Sequence, residues 1–256
     1  MLKTISIISM LAASPLAAQN CDLLCNADNW RVGDPQFILD AIANGEDINT
    51  TVDGRPTPLI KTILLGPIEM VPHLIAAGAD PNIADSNGMT ALMAASNAPD
   101  TGLLPKLIAA GADVTAQNQR GQTALHFAAG GITTPQYLAI LLAAGADVNA
   151  IDANGNTTLH TLADISTLFG EPYQIATNAG ILINSGAALN LQNTDRQTAL
   201  HIAAGGREPN LVSLLIAAGI DGSLLDVNGH SAYNVASETM HLSKLPAVLA
   251  ALESAQ

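Results

Sequence analysis

The hydrophobic positions of this chain fall into short helical stripes that Gly, Pro and Asp interrupt. In the clearest stretch, Thr123 precedes an apolar run that ends at Gly130, and Pro135 begins a second run that ends at Gly145. Thr caps helices through its hydroxyl, Pro fits the first helical position, and Gly closes the carbonyl end in a left-handed conformation. The pattern predicts two short helices and then a hairpin-like turn, with an apolar stripe on the second helix at Tyr137, Leu138, Leu141 and Leu142.

The same pattern recurs along the chain with a fixed period. The residue that begins the first helix recurs in steps of 33, 33, 34, 41 and 33 residues, at Thr57, Thr90, Thr123, Thr157, Thr198 and Ser231. The residue that ends the second helix recurs with the same five steps, at Gly45, Gly78, Gly111, Gly145, Gly186 and Gly219. Two independent markers that share one period indicate a repeat architecture.

A single unit of this length is too small to bury its apolar face, so successive units must stack on one another. The sequence therefore predicts an all-α solenoid of stacked helix-turn-helix units with short β-hairpin-like turns. The residues Gly-x-Thr-Ala-Leu-His, with Ala-Gly-Ala-Asp-Val-Asn-Ala about twenty residues later, resemble the ankyrin repeat.

The resemblance begins near Pro35 and covers residues 35–256. It implies about five full repeats between two atypical terminal caps. Residues 35–52 are expected to supply only a second helix and Gly45, as the N-terminal cap. The fourth repeat, residues 153–190, is extended because its step is 41 residues, and the extra residues lie between Asp164 and Gly180.

The resemblance also implies which residues contact a partner, because ankyrin proteins typically present their hairpin tips and first helices on a concave surface that binds another protein. Most of the matching side chains are polar and uncharged, which favours recognition by hydrogen bonds and shape, and solvated turns are the alternative interpretation. The matching residues are Ser86, Asn87, Met89, Gln119, Arg120, Gln122, Ala153, Asn154, Asn156, Thr194, Asp195 and Gln197.

Three histidines, His126, His160 and His201, recur in register with the repeat. In ankyrin repeats this His resembles a structural group whose hydrogen bonds tie adjacent turns together. Residues one repeat apart lie about 10 Å from each other in a stack of helices, so the three rings do not converge on one ion. We expect a structural role for them, with no metal site and no cofactor.

The extra residues of the fourth repeat include two of the few aromatic side chains, Phe169 and Tyr173. They could form a docking protrusion, because aromatic side chains give much contact area for little lost entropy. The alternative is a lengthened helical pair that buries both rings locally.

The first residues have the composition of a secretory signal peptide. Lys3 precedes an apolar segment from Ile5 to Ala12, and Pro15 with Ala17 and Ala18 follows. Residues 1–18 are therefore predicted to be removed, with the mature chain starting at Gln19. An N-terminal core helix is the alternative.

The only two cysteines, Cys21 and Cys25, lie in the next segment, residues 19–34. A small disulfide is predicted here, because exported proteins meet an oxidising compartment. Two free thiols, half of a metal site and a lipid-modified Cys21 are the alternatives.

Composition limits the possible partners. The 256 residues carry 9 basic and 22 acidic side chains, a formal charge of −13, which disfavours nucleic acids and anionic membrane surfaces. No apolar run reaches the roughly 20 residues that a membrane-spanning helix needs, so membrane insertion of the mature chain is not expected. Aromatic residues make up only 3%, which favours close packing of helices through Ala, Leu and Ile.

The expected function is a non-catalytic protein-interaction scaffold in the periplasm or outside the cell, with a protein as its partner. No Gly-x-Ser-x-Gly or Gly-x-x-x-x-Gly-Lys motif is present, and no catalytic residue is predicted. One alternative is a small enzyme or ligand-binding protein with a site in residues 164–180, around Asp164, Glu171 and Tyr173. Another is a secreted effector or an inhibitor that neutralises a toxin.

Overall fold

The structure is a computed structural model, and it describes residues 22–25, 35–51, 54–98, 102–130, 135–165, 172–206, 209–238 and 246–255. An N-terminal cap contains α1 (Asp22–Cys25) and α2 (Gln36–Ala43). A C-terminal cap contains α13 (Ala232–Glu238) and α14 (Pro246–Ser254). Between them, repeats 1 to 5 each contribute a first and a second helix: α3 (Pro58–Leu65) with α4 (Val71–Ala76), α5 (Ala91–Ala95) with α6 (Leu103–Ala109), α7 (Ala124–Gly130) with α8 (Pro135–Ala143), α9 (Thr158–Ile165) with α10 (Pro172–Asn184), and α11 (Ala199–Gly205) with α12 (Pro209–Ala217).

The helices stack in two layers. Each first helix from α3 to α13 contacts the first helix of the next unit, and the second helices from α6 to α14 contact one another in the same way. The predicted all-α solenoid is confirmed: strands are absent from the described ranges, where one isolated antiparallel bridge joins Ile151 to Thr157. The same Leu of every repeat is buried in the first-helix layer, at Leu59, Leu92, Leu125, Leu159 and Leu200.

From repeat 2 to the C-terminal cap, each hairpin turn is organised by one Asp or Asn side chain. The Oδ1 atom of Asp152 accepts hydrogen bonds from the backbone N–H groups of Asn154 and Asn156, both at 2.8 Å. A backbone bond from the Asp152 N–H to the Asn156 carbonyl, at 2.9 Å, closes the turn. Asp and Asn favour such turns because their short side chains reach the backbone two residues on. The same arrangement recurs at Asp85, Asn118, Asn193 and Asp226.

Successive turns are joined by one backbone hydrogen bond per interface. The Ala153 N–H donates to the Arg120 carbonyl at 2.8 Å, and Thr194 donates to Asn154 at 2.8 Å. Equivalent bonds of 2.9 to 3.0 Å join the other described neighbours: Ser86 to Gly54, Gln119 to Asn87, and Val227 to Asp195.

In repeats 2 and 3 these bonds bring the next turn so close that one position has no room for a Cβ atom. At Gly121 (φ 73°) an added Cβ would lie 2.8 Å from the Ala153 nitrogen, and at Gly88 (φ 78°) it would lie 2.8 Å from the Asn118 Cα. The last turn has no neighbour, and at Gly229 an added Cβ would meet nothing within 4 Å. Repeat 5 has Arg196 at this position, with a φ of 56° that non-glycine residues rarely adopt.

Asn side chains make a second connection between units, at the ends of the second helices. The Oδ1 atom of Asn82 accepts from the Asp113 N–H at 2.8 Å, while its Nδ2 donates to the Gly111 carbonyl at 2.9 Å. Asn49, Asn149 and Asn190 contact the following unit through the same Oδ1 atom. The equivalent residue of repeat 2, Thr115, bonds only to Asp113 of its own turn.

The N-terminal cap has a helix, α1, that the sequence did not predict. The buried Glu46 carboxylate accepts hydrogen bonds from the Leu23 and Leu24 N–H groups, at 2.9 to 3.1 Å. Leu24 itself is fully buried. A carboxylate at the N-terminal end satisfies N–H groups that have no partner within the helix, and it therefore fixes α1 against the cap.

The extended repeat carries part of its extra length in its second helix. Helix α10 has 13 residues, whereas α8 and α12 have nine each. The four additional residues add about one helical turn, which keeps the same face of α10 toward its neighbours. Residues 166–171 lie outside the described ranges.

Candidate functional site: the groove face

The hairpin tips and the outward sides of the first helices form one surface, which we call the groove face. Two grooves lie on it. The amide groove, about 550 Å³, is lined by side chains of repeats 3 to 5, including Asn154, Asn156, Asn193 and Gln197. The Phe127 groove, about 450 Å³, lies between the tips of repeats 2 and 3 and includes Met89. Gln122 lines both grooves, so they form one continuous surface along the stack.

The twelve predicted contact residues fall into three structural classes, one residue of each class per tip. The first class donates the backbone bond to the preceding turn, and the second accepts the bond from the following turn. The third closes its own turn with its carbonyl group. The classes are Ser86, Gln119, Ala153 and Thr194; Asn87, Arg120, Asn154 and Asp195; and Met89, Gln122, Asn156 and Gln197.

The repeat therefore uses the backbone of these residues and leaves most of their side chains available. Some side chains do bond within the surface: Gln119 donates to the Ser86 carbonyl at 2.6 Å, and Asn193 donates to the Asn156 Oδ1 at 2.9 Å. The grooves bring together Asn87, Met89, Gln119, Arg120, Gln122, Asn154, Asn156 and Gln197. Ser86, Ala153, Thr194 and Asp195 lie at exposed tip positions beside them.

The three histidines each bond within their own helix and to the next turn. His160 is buried, and its Nδ1 lies 3.2 Å from the Thr157 nitrogen and 2.8 Å from its Oγ1. Its Nε2 lies 3.0 Å from the Gln197 carbonyl of the following repeat. His126 and His201 repeat this geometry toward the carbonyls of Asn156 and His230. An N–H that points at Nδ1 requires a lone pair there, so these contacts need the neutral ring with its proton on Nε2.

The surroundings of the rings favour the same neutral state. Burial lowers the pKa of His126, His160 and His201, and the hydrogen bond to the next turn's carbonyl opposes it only in part. The Asp152 carboxylate also raises the pKa of His126 and His160, while the charge of His201 lowers that of His160. Both ring nitrogens are engaged in the stack, which leaves neither free to act as a base or a ligand.

Several predicted residues lie outside the described part of the chain. Phe169, Glu171 and Cys21 fall in undescribed segments. Tyr173 and Cys25 lie in α10 and α1, but their side chains are likewise undescribed. The proposed protrusion and the proposed disulfide therefore stay predictions.

Of the three residues predicted for a site at the insertion, the structure describes the side chain of Asp164. Asp164 is exposed and lines the amide groove with His160 and Thr161. Within the described ranges, no group of three His, Cys, Asp or Glu side chains is arranged to hold a metal ion. Nor is any helix in those ranges long and apolar enough to cross a membrane.

Sequence reasoning missed the residues that build the turns. Their recurrence with the steps of the repeat could have predicted them from the sequence, at Asp85, Asn118, Asp152, Asn193 and Asp226. Tyr137 was expected only in an apolar stripe, but its buried hydroxyl also donates to the Ala98 carbonyl of the preceding repeat. No sequence pattern predicted this partner. The Ala98 carbonyl follows the end of the first helix of repeat 2, α5.

The histidine contacts predict how stability responds to substitution. In the C-terminal cap, Asn234 replaces His, and its Oδ1 accepts from the Ser231 N–H at 3.0 Å and from the Ser231 hydroxyl at 2.9 Å. His201→Asn should therefore keep the helix cap and lose only the bond to the His230 carbonyl, which costs about 0.5–1.5 kcal/mol. His201→Ala should cost about 1 kcal/mol more, because the cap is lost as well. Urea denaturation at pH 7.5 measures both.

The same variants test the pH dependence. With the folded-state pKa of each ring lowered from 6.5, its contribution to stability is complete above pH 6.5 and is lost as the pH falls toward the folded-state pKa. His201→Asn should reduce the histidine-dependent loss of stability between pH 7 and pH 5 without abolishing it, since His126 and His160 still contribute. An unchanged pH slope, or equal costs for Asn and Ala, would refute the assigned contacts.

Comparison with protein-family models gives three matches, all to ankyrin repeats. A model for many ankyrin copies matches residues 74–128, a single-repeat model matches residues 120–153, and a three-copy model matches residues 175–252. Comparison with curated proteins gives no match. The three matches agree in family and together span more than half of the chain, and this protein therefore belongs to the ankyrin-repeat family.

Proposed function

We propose that this protein is an exported, non-catalytic scaffold that binds another protein through its groove face. Ankyrin repeats are typically protein-interaction modules, which supports a protein partner. The proposal depends mainly on one observation at the hairpin tips. Their backbone groups make the hydrogen bonds between units, whereas their side chains line two grooves that meet at Gln122.

The chemistry of the amide groove fits a binding surface better than a catalytic one. Its lining is rich in amide groups, which donate and accept hydrogen bonds but do not exchange protons near neutral pH. Its two histidines, His160 and His201, use both ring nitrogens within the stack. The Asp152 carboxylate accepts two backbone N–H groups, so it too serves the turn. These groups would recognise an extended polypeptide, whose backbone offers matching donors and acceptors.

Export is supported by the composition of the first residues and by the position of the cysteines. The basic residue, the apolar segment and the small residues up to Ala18 have the order of a secretory signal. Cys21 and Cys25 follow directly, where an oxidising compartment would permit a disulfide. We infer a periplasmic or secreted destination.

Site-specific cross-linking tests the binding surface. A photoreactive amino acid at Asn154, an exposed tip residue of the amide groove, should cross-link the protein partner in the compartment where the chain resides. The matched control is Gln136, which is equally exposed but lies on α8 in the second-helix layer of the adjoining repeat. Identical products at both positions, or none at Asn154, would contradict the proposed surface.

The destination has its own test. The exported chain should begin at Gln19. Its intact mass, measured on protein purified from the periplasm or medium of a bacterial host, should equal that of residues 19–256. Ile8→Asp breaks the apolar segment and should leave the chain uncut in the cytosol. Full-length wild-type protein that retains Met1 and stays with the cytosol would overturn the export proposal.

A further inference from the structure

The groove face carries opposite charge at its two ends. Over repeats 1 to 3 its described charged residues are Arg55, Lys61 and Arg120, with Asp85 as the acid among them. Over repeats 4 and 5 the acids Asp152, Asp164 and Asp195 lie on it, with Arg196. A basic surface is unexpected in a chain with 22 acidic and 9 basic residues.

Repetition of the fold places these residues on the groove face. Lys61 and Leu64 stand four and seven residues after Thr57, as Thr161 and Asp164 stand after Thr157. Thr161 and Asp164 line the amide groove, and Phe127, four residues after Thr123, lines the Phe127 groove together with Arg120.

The three cations of this half differ in their surroundings. Among the described residues of this half the three cations stand against one acid, Asp85, so the net charge is positive. The guanidinium groups of Arg55 and Arg120 make no hydrogen bond or ion pair with any residue that the structure describes. Lys61 is half-buried, and burial, followed by the charge of Arg55, lowers its pKa. A negative charge bound beside Lys61 and Arg55 would favour the charged form of Lys61 and so oppose both effects on its pKa.

Apolar side chains lie next to these cations. Leu64 and Leu65 end helix α3 and remain 50% and 71% exposed, and Leu65 is the most exposed large apolar residue of the described ranges. Met89 and Phe127 are partly buried in the Phe127 groove. Exposed apolar side chains beside charged residues favour a binding site, because covering them is favourable.

We propose that the groove face over repeats 1 to 3, from Arg55 to Arg120, binds an extended stretch of the partner protein that combines acidic and large apolar side chains. The proposal rests on the scaffold function above and adds the chemistry of the bound segment and its place on the groove face. Three repeats at about 10 Å each span about 30 Å, the length of about nine extended residues. The opposite charge of repeats 4 and 5 confines the acidic side chains of the segment to repeats 1 to 3, because it repels them.

Selection from a displayed library of random twelve-residue peptides tests this chemistry. Peptides selected on the wild-type chain should be enriched in Asp and Glu together with Leu, Ile, Phe or Met. Arg120→Glu should abolish the acidic enrichment and weaken the best wild-type peptide about tenfold, with a smaller effect at high salt. Lys106→Glu makes the same charge change on an exposed residue of α6, in the second-helix layer, and should change affinity less than about twofold.

The outcomes separate this proposal from the scaffold function. Selected peptides without an acidic excess, or equal losses for Lys106→Glu and Arg120→Glu, overturn the proposed chemistry and leave the scaffold function in place. A library that yields no enriched peptide also overturns it, and the cross-linking result at Asn154 then decides the scaffold function independently. Melting curves of both variants must match that of the wild type, and a lower melting temperature for Arg120→Glu requires repeating the selection with Lys61→Glu.

Discussion

The close approach of successive hairpin turns is the constraint on which the rest of the structure depends. One backbone hydrogen bond of 2.8 to 3.0 Å joins each described pair of turns. At Gly88 and Gly121 a Cβ atom would lie only 2.8 Å from the backbone of the next turn. This spacing sets the distance between units, and it brings the carbonyls of Asn156, Gln197 and His230 within 3.0 to 3.2 Å of the histidine rings of the preceding repeats. The helices then stack in register because the turns do.

This arrangement also explains how one scaffold can carry a specific surface. The main chain of the tips makes the contacts between units, so side chains there can vary without breaking those contacts. The amide-rich end and the basic, apolar end of the groove face use the same backbone positions with different residues. One tip position varies less, because repeats 2 to 4 all have Gly with a positive φ there. Arg196 of repeat 5 is the exception. Nothing in the described contacts explains why Arg stands there.

The fold could be predicted from the sequence because its signals are local. Thr57, Pro135 and Gly145 have the chemistry of helix ends, and their period alone indicates stacking. The candidate tips were predicted through family resemblance, but their backbone roles depend on which carbonyl faces which N–H across an interface. The docking of α1 by Glu46 links residues more than 20 positions apart and has no periodic counterpart. The basic end of the groove face could not be predicted without the register of the stack, since Lys61 and Arg120 lie two repeats apart in the sequence and share a face only when the repeats are aligned.

A pair of glycine substitutions tests the central claim most directly. Gly121 and Gly229 have similar positive φ values, 73° and 77°, so Ala at either position carries the same backbone strain of about 1–2 kcal/mol. Only at Gly121 would the new Cβ meet a neighbouring turn, 2.8 Å from the Ala153 nitrogen. The free energy of unfolding, measured by urea denaturation, should fall by at least about 1 kcal/mol more in Gly121→Ala than in Gly229→Ala. Equal losses in the two variants would contradict the claim that close contact between turns holds the stack.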